Sequence, residues 1–162
     1  MKLGNNIVYV FGSNSEGFHG AGAAGLACRG VSENTWREDQ WFLKAMKSPV
    51  GSKERIGQWA VFGVARGFQE GREGMSYAIQ TIKRPGWKRS TPLSEIKEQL
   101  IEMGEYARLH SDLKFHMTPV GAGLAGWTNA EMKKIWDEVK DKMPENVVYP
   151  QDLYEEVTIH NT

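Results

Sequence analysis

The chain has 162 residues, of which 40% are apolar and 25% charged, with 20 Lys and Arg set against 20 Asp and Glu. That balance suits one globular domain over residues 1–162, and it excludes a global field that would draw the protein to nucleic acid or to a membrane surface. Cys28 is the one cysteine, which excludes an internal disulfide and a cysteine-cluster metal site.

No apolar run approaches the roughly 20 residues that cross a bilayer. The stretch Ile7–Phe11 behind Met1-Lys2 is too short for a signal peptide, so the expected location is cytoplasmic, with no membrane partner.

In chain order, Ile7–Phe11 is a continuous β-branched and aromatic run, expected to be a strand buried on both faces. Gly12 to His19 is polar and turn-rich, and the small residues from Gly20 onward suit a helix packed close to a sheet. Glu33 to Met46 has helix-like but irregular apolar spacing, and Ser48 to Gly57 reads as a loop. Trp59–Phe62 and Tyr77–Ile82 are expected strands, separated by a loop holding Gly67, Gly71 and Gly74. KRPGWKRS, residues 83–90, is another loop. Thr91 as cap, Pro92 at the first helical position and Glu95 in the first turn then announce a helix. Its apolar stripe is Leu93, Ile96, Leu100, Met103 and Ala107. Lys114 to Val120 alternates as a strand, and Thr128 with Glu131 forms a capping box ahead of the stripe Met132, Ile135, Trp136, Val139 and Met143. Val147–Tyr149 is a short last strand; the acidic tail to Thr162 has no assigned element. Strands alternating with helices predict an α/β fold, a three-layer α/β/α sandwich around a mixed central sheet.

Two segments, GAGAAG at 20–25 and GAGLAG at 121–126, both satisfy G-x-G-x-x-G between an expected strand and an expected helix. Side-chain-poor turns there let backbone N–H groups approach a phosphate, with a favourable helix dipole. The competing reading is two tight turns that merely allow close helix–sheet packing. A dinucleotide-binding Rossmann domain fits poorly. Eight residues separate Phe11 from Gly20, the acids Glu38 and Asp39 fall in a helical stretch, and the second helix starts beyond its glycines. Neither loop has the Gly-Lys-Ser/Thr of a P-loop.

VYVFGSNSEGFHGAGAAGLA resembles the first ligand loop of macro domains, and TPVGAGLAGW resembles their diphosphate-binding loop. GVARGFQEGREGMSYAIQTI is similar to the macro-domain stretch where a glycine-containing loop leads into a central strand. The likeness spans about residues 7–140 and looks closest to a phage-associated, uncharacterised branch of macro-domain-like proteins. It implies a macro-domain-like fold with a cleft for ADP-ribose or a related diphosphate nucleotide, and no bound cofactor. By position, Asn14 would contact the distal ribose, and Gly20, Ala21, Gly22 and Ala23 would line ribose and diphosphate. Gly121, Ala122, Gly123, Leu124, Ala125 and Gly126 would cradle the diphosphate, with Trp127 as a wall of the pocket. Macro domains usually carry an Asp upstream of the first strand that reads adenine; here MKLGNN holds no acid.

For chemistry, Glu16 and His19 sit in the first loop, where a carboxylate or imidazole can serve as general base in cleaving an ADP-ribosyl bond. The plainer reading is a solvated Glu16 and a His19 that holds its own loop. His110 is expected to serve a helix C-terminus, His116 to be a satisfied sheet histidine and Cys28 to be a packed, inert thiol. No His, Asp or Glu set has metal-ligand spacing, so no metal is expected. The basic 83–90 loop with Trp87 reads as solvated, and at zero net charge a nucleic-acid contact is the lesser alternative. Three functions follow: a binding module that captures a nucleotide signal, an ADP-ribosyl hydrolase using Glu16 or His19, or a phage-related structural or interaction protein with a vestigial cleft.

Overall fold

The computed structural model describes residues 3–84, 87–118 and 126–148. β1 (Ile7–Asn14) is followed by α1 (Gly22–Arg29), α2 (Gln40–Met46), β2 (Gly67–Glu70), β3 (Met75–Ile82), α3 (Leu93–Leu109), β4 (Lys114–Met117), α4 (Asn129–Val139) and β5 (Val147–Val148). The sheet order is β2-β3-β1-β4-β5. β2 and β3 are antiparallel; the other neighbours are parallel. The expected sites Gly121, Ala122, Gly123, Leu124 and Ala125 lie outside the described residues, as do the expected strand end at 119–120, Tyr149 and the tail.

Side chains alternate across the sheet and sort into two cores. Ile7, Tyr9, Phe11 and Ala78 pack with Ala27 and Cys28 of α1, Phe42 and Ala45 of α2, and Trp59. Val8, Val10, Tyr77, Ile79, Phe115 and Met117 pack on the opposite face with Ile96, Leu100, Met103 and Ala107 of α3 and Ile135 and Val139 of α4. β1 is therefore apolar on both faces because it is central, and each fully buried side chain of this kind contributes roughly 1.5–3 kcal/mol. The three-layer α/β/α sandwich holds.

Several local expectations are corrected. β1 runs three residues past Phe11, because Gly12, Ser13 and Asn14 stay paired with β3 and Ser13 Oγ donates to the Ala65 carbonyl. Trp59–Phe62 is not a strand: Trp59 N and Gln58 N donate to the Ala27 and Cys28 carbonyls at 2.7 and 2.9 Å, so this segment closes the end of α1. The helix expected over 33–46 starts only at Gln40, where the Asp39 carboxylate caps Phe42 N at 2.8 Å. Part of the expected 67–74 loop is the edge strand β2. Thr91 does not cap α3; its hydroxyl meets Gln80 Oε1 at 3.2 Å and ties the helix entry to β3. Beyond the last β2–β3 pair, Gly67 with Ala78, the Gln99 side chain takes over from the missing strand. Its Oε1 accepts Gln80 N at 2.6 Å and its Nε2 donates to Gln80 O at 2.8 Å.

The capping box of α4 is formed by both of its bonds, 3.0 and 3.1 Å long. His110 stands at the end of α3, its Nδ1 2.8 Å from the Tyr106 carbonyl.

Candidate functional site

β3, β1 and β4 are consecutive parallel strands, so their carboxyl ends and the loops that follow share one end of the sheet. The chain leaving β1 enters α1 on one face, whereas the chains leaving β3 and β4 enter α3 and α4 on the other. In open parallel sheets, the strand ends at which successive connections pass to opposite faces are the usual ligand position. Thr118 fixes the start of the second loop beside β1, its N and Oγ1 donating to the Val10 carbonyl at 2.9 and 2.8 Å.

The first loop is folded by its own polar groups. Asn14 Oδ1 accepts the Glu16 and Phe18 amides at 3.0 and 3.1 Å, and Nδ2 donates to the Phe18 carbonyl at 2.7 Å. Asn14 is thus largely committed to shaping the loop, with one Nδ2 hydrogen left over. Gly17, at φ +64°, lets the loop lie on the 61–64 segment, and Gly63 N donates to its carbonyl at 3.0 Å. Arg29, buried at the end of α1, reaches back to the Gly20 carbonyl and across to Thr35 Oγ1 at 3.1 Å and Glu33 O at 3.0 Å. One guanidinium thereby holds the glycine turn from beneath.

The turn leads into α1, which has no side-chain cap on Ala21 and no acidic residue in its first turn. Gly22 is exposed at φ +61°, and a Cβ there would meet nothing within 4 Å. Gly20 is different, since a Cβ on it would lie 2.8 Å from the Phe18 ring. Gly20 therefore serves packing, and Ala23 lies against the core, while Gly22 is the exposed point of the turn.

Glu16 and His19 are not brought together. The Glu16 carboxylate is exposed on the loop. His19 is 0% exposed, edge-on to Phe11 with ring centroids 5.2 Å apart. Burial lowers its pKa to about 4, partly offset by the facing carbonyls of Val64 and Val61. The imidazole is neutral at neutral pH and is held by packing, neither ring nitrogen having a hydrogen-bond partner among the described residues.

On the far side, Gly126 and Trp127 lie against the 87–90 segment. Arg89 Nε donates to the Gly126 carbonyl at 3.1 Å, its guanidinium pairs with Glu131 at 3.2 Å and it covers the Trp127 ring at 4.8 Å from the centroid. The same loop touches the first one: Ser15 Oγ donates to the Lys83 carbonyl, and Ser15 N to Ile82 O at 3.1 Å. Three loops thus meet at this end of the sheet, where the sequence showed two.

Among solved structures the chain is similar to a protein of unknown function from Bacteroides thetaiotaomicron. The match covers 91% of this chain and 88% of that one, at 18% identity and a TM-score of 0.50. The likeness is one of fold. No protein-family model matches the chain, and no curated protein matches it.

Arg29 and Arg89 escaped sequence reasoning because a lone arginine in a helix or a basic turn carries no local mark of what it will clamp. The only signal was indirect: Arg29 follows an otherwise side-chain-poor helix, GAAGLAC, where a charged residue must find carbonyls or remain solvated. Among the described residues, no three His, Cys, Asp or Glu side chains are grouped to hold a metal ion, and no helix is long and apolar enough to cross a membrane.

Proposed function

We propose that the protein binds ADP-ribose or a related diphosphate nucleotide in the crevice between the loops that follow β1 and β4. One observation carries this reading: the adjacent parallel strands β1 and β4 are followed by helices, α1 and α4, that pack on opposite faces of the sheet. At the start of α1, which has no side-chain cap, the Gly22 amide is taken by the Ser32 carbonyl at 2.8 Å, so the donors for an anion are the Ala23 and Ala24 amides, without a side chain in the way at Gly22. Arg29 and Asn14 hold the turn in place before any ligand arrives, which lowers the ordering cost of binding. In this reading the chain is a macro-domain-like module that sequesters a nucleotide signal.

Titration calorimetry of the full chain with ADP-ribose, NAD and ADP tests it. Binding of at least one, abolished by Gly22→Val with the circular dichroism spectrum kept, is the expected result. Failure of all three to bind ends the proposal.

The exposed Glu16 carboxylate at the loop favours a second reading, an ADP-ribosyl hydrolase in which Glu16 takes the proton from the attacking water. His19 has no part in that step, since burial withholds it from water. Glu16→Gln is expected to remove turnover while leaving nucleotide binding intact. Wild-type protein without turnover of ADP-ribosylated substrates leaves the binding module alone.

A further inference from the structure

We propose that Lys83, Arg84 and residues 87–90, between β3 and α3, bind a short single-stranded nucleic acid at the mouth of the candidate crevice. This goes beyond the nucleotide-binding reading and does not depend on it.

The loop carries four cations in eight residues, Lys83, Arg84, Lys88 and Arg89, with Trp87 between them. All four are exposed, and so is Trp87, at 57%. Two of the charges are already paired, Lys83 with Glu95 at 3.7 Å and Arg89 with Glu131 at 3.2 Å. Arg84 and Lys88 make no ion pair among the described residues. The Arg84 guanidinium lies 4.8 Å from the Trp87 ring centroid, so cation and indole form one stacked unit with the indole still largely open. Exposed aromatics flanked by cations are the elements with which proteins hold single strands: the ring stacks a base and the cations meet the phosphates on either side.

A solvated turn would need no scaffold, yet this one is tied down. Lys83 N donates to Ser90 Oγ at 2.8 Å, Trp87 N to the Arg84 carbonyl at 3.0 Å, and Ser15 Oγ to the Lys83 carbonyl. Arg89 holds a left-handed backbone at φ 56° while its side chain clamps Gly126. A non-glycine residue kept in that conformation is over-determined by its surroundings, a feature that concentrates at ligand contacts. The zero net charge of the whole chain argued against nucleic acid at the level of composition. Placement answers it, because the two cations without an ion pair among the described residues and the open indole share one loop at the rim where β1 and β4 end. An indole this open favours a partner with a base to stack over one held by phosphate charge alone.

Fluorescence anisotropy of the full chain with a labelled oligothymidylate about eight nucleotides long, at low salt, tests the proposal. Trp87→Ala should weaken binding about tenfold and Trp87→Phe should largely restore it. Arg84→Ala with Lys88→Ala should flatten the slope of log affinity against log salt by about 1.4, two phosphate contacts' worth. Circular dichroism and calorimetry with ADP-ribose serve as controls, so loss of oligonucleotide binding alone is read at this loop. A chain that binds no diphosphate nucleotide still satisfies the proposal if the oligonucleotide results hold. Absence of oligonucleotide binding, or binding unmoved by Trp87→Ala, or polyphosphate competing equally well in wild type and Trp87→Ala, overturns it.

Discussion

Asn14 grips Phe18 twice, accepting its amide at 3.1 Å on Oδ1 and donating Nδ2 to its carbonyl at 2.7 Å. With the Glu16 amide at 3.0 Å on the same oxygen, one side chain closes the whole loop at the end of β1. Asn14→Ala removes three bonds and leaves partly buried backbone groups without partners, at a cost of about 2–3 kcal/mol. Urea unfolding is expected to show that loss as a lower midpoint, and nucleotide affinity should fall with it because the turn at Gly20–Ala23 loses its support. An unchanged midpoint would mean that the loop is held elsewhere.

Two glycines with nearly the same backbone separate folding from binding. Gly17 at φ +64° has no room: a Cβ would stand 2.6 Å from Val64 N and against the Gly63 backbone. Gly17→Ala adds that clash to the left-handed strain and should destabilise by about 3 kcal/mol or more. A Cβ on Gly22 at φ +61° meets nothing within 4 Å, so Gly22→Val has no Cβ clash and bears chiefly the backbone strain, about 1–3 kcal/mol. Its effect should appear in calorimetry, as loss of nucleotide binding by a folded chain. Equal stability losses for the two variants would contradict this assignment.

What was legible in the sequence follows from how locally each feature is encoded. Periodicity announced α3 and α4 and the capping box of Thr128 with Glu131, since those signals lie within one or two helical turns. The continuous apolar run of β1 reported burial on both faces and hence a central strand. Ser13 and Asn14 were hidden because they replace packing with hydrogen bonds, so a strand continues under a polar sequence. Trp59 looked like strand because its side chain is core, whereas its amide donates to the Ala27 carbonyl, which is far away in sequence. In the candidate site the first glycine loop was legible as composition. The third loop's part was not, because the reach of Arg89 to Gly126 spans 37 residues.

Cys28 is fully buried, its Sγ 3.9 Å from the Ala60 carbonyl, and burial pushes the thiol up to about 12. Only the thiolate attacks disulfide reagents, so the native protein should stay unlabelled by Ellman's reagent over hours and react fully in concentrated guanidinium. Because labelling then requires opening of the α1 region, Gly17→Ala should label faster than wild type. Rapid native labelling would place the sulfur at an accessible surface and break the core assigned here.

His19 makes stability depend on pH in a definite direction. Its folded pKa of about 4 lies below the ordinary value of 6.5, so as pH falls the unfolded chain takes up the proton first. The stabilisation from the neutral, buried imidazole is therefore complete above pH 6.5 and is lost as pH drops from 6.5 towards 4. A gap of this size corresponds to about 3 kcal/mol across that window. His19→Gln keeps a polar group facing the Val61 and Val64 carbonyls and removes the titration. The difference in unfolding free energy between wild type and His19→Gln should therefore shrink from pH 6.5 to pH 4, while the carboxylates titrate alike in both chains. Urea midpoints measured across this range decide the matter. A difference that stays constant would require His19 to take up its proton equally readily in the folded and unfolded chains, which its exclusion from water opposes.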